Sequence, residues 1–370
     1  MSTPRLLIGL MSGTSTDGVD GVLVRLGGAQ PELLAQADLP MPADLRQALL
    51  ALNTSGPDEL ERAALAAQAL VGVYADVVQA LLRQAGVAAT DIAAIGAHGQ
   101  TVRHRPDLGF TIQLNAPALL AERCGIAVVA DFRSRDVAAG GQGAPLVPAF
   151  HAAIFASATP RAVLNLGGIA NVTLLAPGRP IVGFDTGPAN MLLDDWCQRH
   201  TGQPYDNDGA YAASGKADDN ILNYLLSSEP WLKLPPPKST GRDLFNRTWL
   251  DQRLAAWAGY CRALQPQDIQ ATLQRFTART VADAIAAYAP DTREVLVCGG
   301  GVRNSGLMRD LRDCLQRPVL PTDEAGVPAQ AVEAFAFAWL AQAFLDRVPA
   351  GLPEVTGARG PRVLGALYPA

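Results

Sequence analysis

The sequence predicts an α/β protein built from two related domains. Two observations carry this. Short apolar runs alternate with helical tracts along the chain, and a strand, a Gly/Ser/Thr/Asn turn and a return strand occur at residues 5–26 and again at 161–176. A second pattern, strand, Gly turn, helix, reads at 91–100 and 294–312. A cleft between two such domains would be a common place for a ligand. The 370 residues suffice for two domains, and 49% hydrophobic with 18% charged residues argues for large buried cores.

RLLIGL (5–10) reads as a buried strand, MSGTSTDG as a polar turn and GVDGVLVRL as the return strand. Residues 58–85 have helical spacing with acidic residues at the start. The apolar stretch from Ala63 to Leu82 contains Gln68, Asp76 and Gln79 and reads as a core helix. Strands follow at 91–97 and 126–130, with a helix at 116–123 between them. DFRSRDVAAGGQGAPLVP (131–148) reads as an irregular loop at a domain boundary. The domains expected are 1–130 with 340–370, and 131–339. RAVLNL, GGIAN and VTLLAP make a second hairpin; PIVGF is a strand ending at DTGPAN, before a helix over 191–200. EPWLKLPPPKSTGR (229–242) reads as an ordered loop, 267–289 as helix, EVLV as a strand entering CGGGVRN and a helix over 305–315, and 332–344 as a final apolar helix.

A formal charge of −5 makes nucleic acid or an anionic membrane a poor partner. Five cysteines without a C-x-x-C pair fit reduced thiols in a cytosolic protein, the N-terminus does not read as a signal peptide, and four scattered histidines argue against zinc.

Four Gly-rich turns could carry chemistry. In Gly13–Asp20 (Gly13, Thr14, Ser15, Thr16, Asp17, Gly18, Val19, Asp20), backbone N–H groups can nest an anion, hydroxyls add donors, and Asp17 and Asp20 could hold water on Mg²⁺; a capped hairpin explains the same residues. Asn165, Gly167, Gly168 and Asn171 form a second such turn, and one turn per domain could clamp a polyphosphate. Neither is followed by G-K-[ST], so no Walker A loop is present. Asp185, expected just beyond a strand, is placed as a general base or as a helix cap. Gly299, Gly300 and Gly301 would let adenine or ribose pack flat; a tight strand–helix connection is the other reading of the same glycines. His98, which follows a strand, and His104 could hydrogen-bond a sugar or phosphate or be structural; Arg133, Arg135, Lys238 and Arg242 sit in polar loops and could pair with a carboxylate or phosphate or be solvated.

GLMSGTSTDGVD, GAHGQTVRH, DFRSRDVAAGGQGAPLVP, NLGGIAN, FDTGPAN, PKSTGRDLFN, CGGGVRN and EAFAFAWLA occur in one order from residue 9 onward. Together they resemble the anhydro-N-acetylmuramic acid kinases. Ala189 stands where that family commonly has Gly, and Thr16 where Met or Leu is usual; the acidic residues are in place. The resemblance implies two actin-like ATPase (ribonuclease H-like) domains with a central cleft. It implies ATP on Gly13–Asp20 and Asn165–Asn171, adenosine near Gly299–Gly301, and Asp185 as catalytic base. It also implies Mg²⁺, a homodimer, and 1,6-anhydro-N-acetylmuramate as substrate, with N-acetylmuramate 6-phosphate as product of cell-wall recycling. Arg133 is expected on the lactyl carboxylate, with His98, Asp131 and Glu333 as further sugar contacts. A kinase of the same superfamily with another acceptor, and a chaperone-like ATPase, are the competing readings.

Overall fold

A computed structural model describes residues 4–13, 15–28, 31–258 and 265–370; Thr14 and Cys261 lie outside the described residues. The elements run β1 (Arg5–Met11), β2 (Gly18–Leu26), β3 (Glu32–Pro40), α1 (Ala43–Ala51), α2 (Glu59–Ala85), β4 (Ile92–Ala97), β5 (Gln100–Arg105), β6 (Phe110–Leu114), α3 (Pro117–Cys124), β7 (Val128–Ala130), α4 (Ser134–Ala138) and α5 (Val147–Phe155). They continue with β8 (Arg161–Leu166), β9 (Ile169–Leu175), β10 (Val182–Pro188), α6 (Asn190–Thr201), α7 (Ala210–Ala213), α8 (Asp219–Ser228), α9 (Arg247–Ala258), α10 (Pro266–Tyr288), β11 (Glu294–Cys298), α11 (Ser305–Leu315), β12 (Val319–Pro321), α12 (Val332–Leu345), α13 (Pro353–Thr356) and β13 (Ala366–Tyr368).

The chain divides into two compact units, Met1–Ile154 with Ala331–Ala370, and Phe155–Gln330. The sheet of the first has the order β13-β7-β4-β1-β2-β3, that of the second β10-β9-β8-β11-β12. In each, three strands form an antiparallel meander (β1-β2-β3; β8-β9-β10), and the first of the three pairs in parallel with the fourth (β4; β11), which pairs in parallel with the fifth (β7; β12). The pattern repeat is thus a repeat of one topology, the ribonuclease H-like strand order.

In the first unit alternate residues of β1 serve two layers. Ile8 and Leu10 join Tyr74, Val77 and Leu81 of α2 in one core, while Gly9 lies against the main chain of α12 at Ala334. Among the described residues α2 is the one helix long and apolar enough to cross a membrane, and its apolar face is spent on this core. In the second unit Leu164, Val172 and Phe184 pack with Phe276, Val281 and Ile285 of α10.

Four expectations change. The domain break moves from 130 to 154, because segment 131–148 is anchored within the first unit: Gln142 N–H donates to Thr356 O and Arg359 N–H to Ala139 O. By the same division residues 331–339 belong to the first unit, where α12 packs on β1 and β4. Segment 131–148 is also part helical, carrying α4 and the start of α5. After β4, Gly99 leads into the hairpin β5–β6, not into a helix.

Candidate active site

In the first unit, Ser12, His98 and Asp131 each follow the carboxyl end of one of the neighbouring parallel strands β1, β4 and β7, where ligands of open α/β sheets bind. The first turn is held from behind. Tyr74 OH accepts from Gly99 N–H at 3.1 Å, Ser12 Oγ donates to Gly99 O at 3.1 Å, and Gln100 Nε2 donates to Gly13 O at 3.0 Å. With its proton on Gly99 O, Ser12 Oγ is left to accept from Tyr74 OH at 3.1 Å. Burial pushes the Tyr74 hydroxyl up to about 12, so it stays protonated and keeps donating.

Thr16 closes the turn with its N–H on Gly13 O and is buried at φ +56°, a strained conformation for a β-branched residue. Asp17 is exposed and accepts from Ser15 Oγ at 2.6 Å. Gly18, Val19 and Asp20 fall within β2. Val19 gives its side chain to the core, and Gly18 lies so close to β3 that a Cβ would meet Leu39 O at 2.7 Å.

Beside this turn, Arg133 Nε donates to His98 Nε2 at 3.1 Å and Arg133 Nη1 to Gly143 O at 2.8 Å. Burial, and then the Arg133 charge, lowers His98 to about 3, so it is neutral with its proton on Nδ1. Burial also lowers Arg133, to about 10, opposed by the charges of Glu333 and Asp136. His98, Arg133 and Glu333 are therefore one cluster. Asp131 is exposed, at φ +58°, with its carboxylate on Ser134 Oγ.

In the second unit Asn165, Asn171 and Asp185 lie on one register line across β8, β9 and β10. Their neighbours Leu164, Leu166, Ala170, Val172 and Phe184 enter the core, so by alternation the three polar side chains share the opposite face. Asp185 was expected beyond the strand. It lies inside β10 instead, because the strand continues through a bulge between Asp185 and Gly187. The loop over 238–240 fixes it: Asp185 N–H donates to Lys238 O at 3.1 Å, and Asp185 Oδ2 accepts from Thr240 N–H at 2.9 Å. Among the described residues no donor reaches Oδ1. Desolvation raises this carboxyl from 3.8 to about 6, tempered by the Thr240 hydrogen bond and the Lys238 charge.

The two glycine turns of this unit meet. A Cβ on Gly299 would lie 2.3 Å from Asn165 Oδ1, and one on Gly301 2.6 Å from Leu166 Cβ. Packing explains these two glycines. It does not explain Gly13, Gly167, Gly168 or Gly300, where a Cβ would meet nothing nearer than 3.5 Å and φ is not positive. Main chain left bare at these four positions can be approached closely by a ligand. For Mg²⁺, no group of three His, Cys, Asp or Glu that could hold a metal occurs among the described residues. The exposed Asp17, in the turn after β1, is a single carboxylate of the kind that suits Mg²⁺, which usually keeps several waters.

Thr240 and Tyr74 were not anticipated. Thr240 sits in the PKSTGR tract between the basic residues Lys238 and Arg242, and Tyr74 is one apolar-looking residue on a core helix.

The family model for anhydro-N-acetylmuramic acid kinase matches residues 5–370. Proteins of that name from Bordetella petrii (73% identity, covering 100% of this chain and 98% of the relative) and Bordetella pertussis (73%, 99% and 96%) are similar over their whole length. A solved structure, the activator of the 2-hydroxyisocaproyl-CoA dehydratase from Clostridium difficile with bound ADPNP, aligns over 90% of this chain and 93% of its own at 13% identity and TM-score 0.47. With the family model spanning nearly every residue and relatives this similar from end to end, the chain belongs to the anhydro-N-acetylmuramic acid kinase family.

Proposed function

We propose that the protein uses ATP and water to open 1,6-anhydro-N-acetylmuramate and phosphorylate its O6, yielding N-acetylmuramate 6-phosphate and ADP. The observation that carries the reaction is Asp185: a desolvated carboxylate with one oxygen fixed by Thr240 and the other without a donor among the described residues. Asp185 Oδ1 takes a proton from water as the water oxygen bonds to the anomeric carbon. The bond from that carbon to O6 breaks, and O6 takes the γ-phosphoryl group as the bond to ADP breaks. Capture by phosphorus neutralises the leaving oxygen, so no separate general acid is needed. Catalysis then rests on alignment and charge stabilisation.

In this reading the backbone of Gly13–Asp20 and of Gly167–Gly168, with Asn165 and Asn171, takes phosphate oxygens, and Gly300 lies under the adenosine. Thr14 is included by its place in the motif. Asp17 would hold Mg²⁺ through water, and the ion would supply charge that offsets the phosphates. Arg133 takes the lactyl carboxylate, a geometry suited to its planar guanidinium; neutral His98 and Glu333 support it and offer hydrogen bonds to the sugar. Asp131 is the weakest contact, since its carboxylate is engaged by Ser134. The same reading carries a homodimer, a cytoplasmic location, and no nucleic-acid or membrane partner.

Turnover in ¹⁸O-labelled water tests the chemistry. The product should carry the label on its anomeric hydroxyl and none in the transferred phosphate; an unlabelled sugar product would overturn it. The pH profile tests Asp185. Because the base must be ionised, kcat/KM should be flat above pH 7 and fall through about 6, approaching tenfold per unit below it. A profile flat down to pH 4.5 would remove Asp185 from the proton transfer.

A further inference from the structure

We propose that Asn115 and Gln113, at the end of β6, form a subsite for the acetamido group of the sugar. This rests on the substrate proposed above and names residues for one of its substituents.

In the antiparallel pair Gln100 lies opposite Leu114 and Thr101 opposite Gln113. Residues 99, 101, 113 and 115 therefore share one face of the hairpin. Gly99 is flanked on that face by both amide residues: a Cβ there would lie 3.3 Å from Asn115 Cβ and 3.3 Å from Gln113 Cβ, and 2.7 Å from Leu114 O. Gly99 has φ +80° and follows His98 directly, so this face begins one residue from the His98–Arg133 pair. Its position is set, since Gly99 N–H and O are both held by the Tyr74–Ser12 pair.

The amide of Gln113 is oriented. Its Nε2 donates to Thr101 Oγ1 at 3.1 Å and to Thr111 Oγ1 at 2.8 Å, which turns Oε1 the other way. That Oε1, with both Oδ1 and Nδ2 of Asn115, is buried without a hydrogen-bond partner among the described residues. Exchanging the oxygen and nitrogen of Asn115 changes nothing, because both are unpartnered. A buried amide with neither end satisfied is costly unless a ligand or solvent completes it.

Two acceptors and one donor, all neutral, suit a neutral group that both donates and accepts. An acetamido N–H can donate to an amide oxygen while its carbonyl accepts from Asn115 Nδ2. A carboxylate or phosphate would face two carbonyl oxygens, and those substituents have Arg133 and the glycine turns instead.

The test compares ATP-dependent phosphorylation of 1,6-anhydro-N-acetylmuramate with that of its 2-deoxy counterpart, which lacks the acetamido group. Wild type should favour the acetamido sugar in kcat/KM, because a site built for a hydrogen-bonded group rejects a substrate without it. Asn115→Leu should lower kcat/KM for the acetamido sugar at least tenfold and leave the 2-deoxy sugar within about threefold. Should that variant fail to fold, Asn115→Ser is read in the same way. Equal loss on both sugars, or discrimination unchanged, overturns the subsite. A wild-type protein that phosphorylates neither sugar overturns the proposed function, and the subsite with it.

Discussion

Asp185→Asn should abolish turnover, lowering kcat by about 10³-fold or more, at the upper end of what general-base catalysis supplies, while ATP binds with little change. The amide oxygen of Asn can still accept from Thr240 N–H, so the loop over 238–240 keeps its place and only the proton acceptor is lost. The same substitution should raise thermal stability, and the pH dependence gives the sign. The folded protein holds the Asp185 proton up to about 6 against 3.8 for the ordinary carboxyl. Between those values the folded state binds more protons than the unfolded, so stability falls as pH rises through the window and stays lower above it. Asn carries no such charge. Asp185→Asn should therefore melt above wild type at pH 8, with the gap closing toward pH 4. Kinetics and melting curves on one preparation check both halves. Near-normal phosphorylation would remove Asp185 from the mechanism, and a variant melting below wild type at pH 8 would contradict the desolvation argument.

What could be read from the sequence was what apolar periodicity and glycine punctuation announce. β1, β2, β4, β8 and β11 are each built round a short apolar run, and their turns carried the candidates Gly13, Gly167 and Gly299. The hairpin β5–β6 was missed because QTVRHR and FTIQL show little apolar pattern: Val102 reaches the core, but the two strands are a separate sheet with Phe110 and Ile112 exposed. That hairpin carries Gln113 and leads into Asn115, so the proposed acetamido subsite lies where a hydrophobic pattern is weakest. The misplaced domain break has a related cause. GGQG in 140–143 looks like a linker, yet Asp136 fills the space a side chain would need: its Oδ2 accepts from Gly143 N–H at 2.8 Å, and a Cβ on Gly141 would lie 2.2 Å from it. A glycine that admits a buried carboxylate cannot be told from a flexible one by composition. Asp185 shows the converse. Its identity as a candidate came from order along the chain, but the hydrogen bond that fixes it and tempers the effect of burial on its proton affinity comes from a loop more than fifty residues away.

Gly9→Ala carries the second large effect, and it acts on the fold. A Cβ at Gly9 would lie 1.9 Å from Ala334 O and 2.7 Å from Ala338 N, and one at the neighbouring Gly96 2.0 Å from Phe337 O. All three obstacles are main-chain atoms of α12, which cannot rotate away as a side chain does, so the helix must lift from β1 and β4. α12 is buried nearly all round, with Phe335, Phe337 and Leu340 each at 1% exposure or less, and lifting it strains or opens that packing. Overpacking commonly costs about 1–3 kcal/mol, and a main-chain clash belongs above that range, at about 3 kcal/mol or more. That is a large share of the 5–15 kcal/mol by which domains are stable. The loss should also reach the site, because Glu333, on the first turn of α12, supports the Arg133 charge electrostatically. Gly72→Ala is the matched control. It adds the same methyl to α2, where the nearest atom is Arg123 Nη1 at 3.5 Å, and should stabilise by about 0.5–1 kcal/mol, the helical advantage of Ala over Gly. Urea denaturation of the two variants should separate them in opposite directions from wild type. A Gly9→Ala protein with a wild-type midpoint would mean that α12 does not rest on β1, and with it the account of why a glycine interrupts this buried strand would fall.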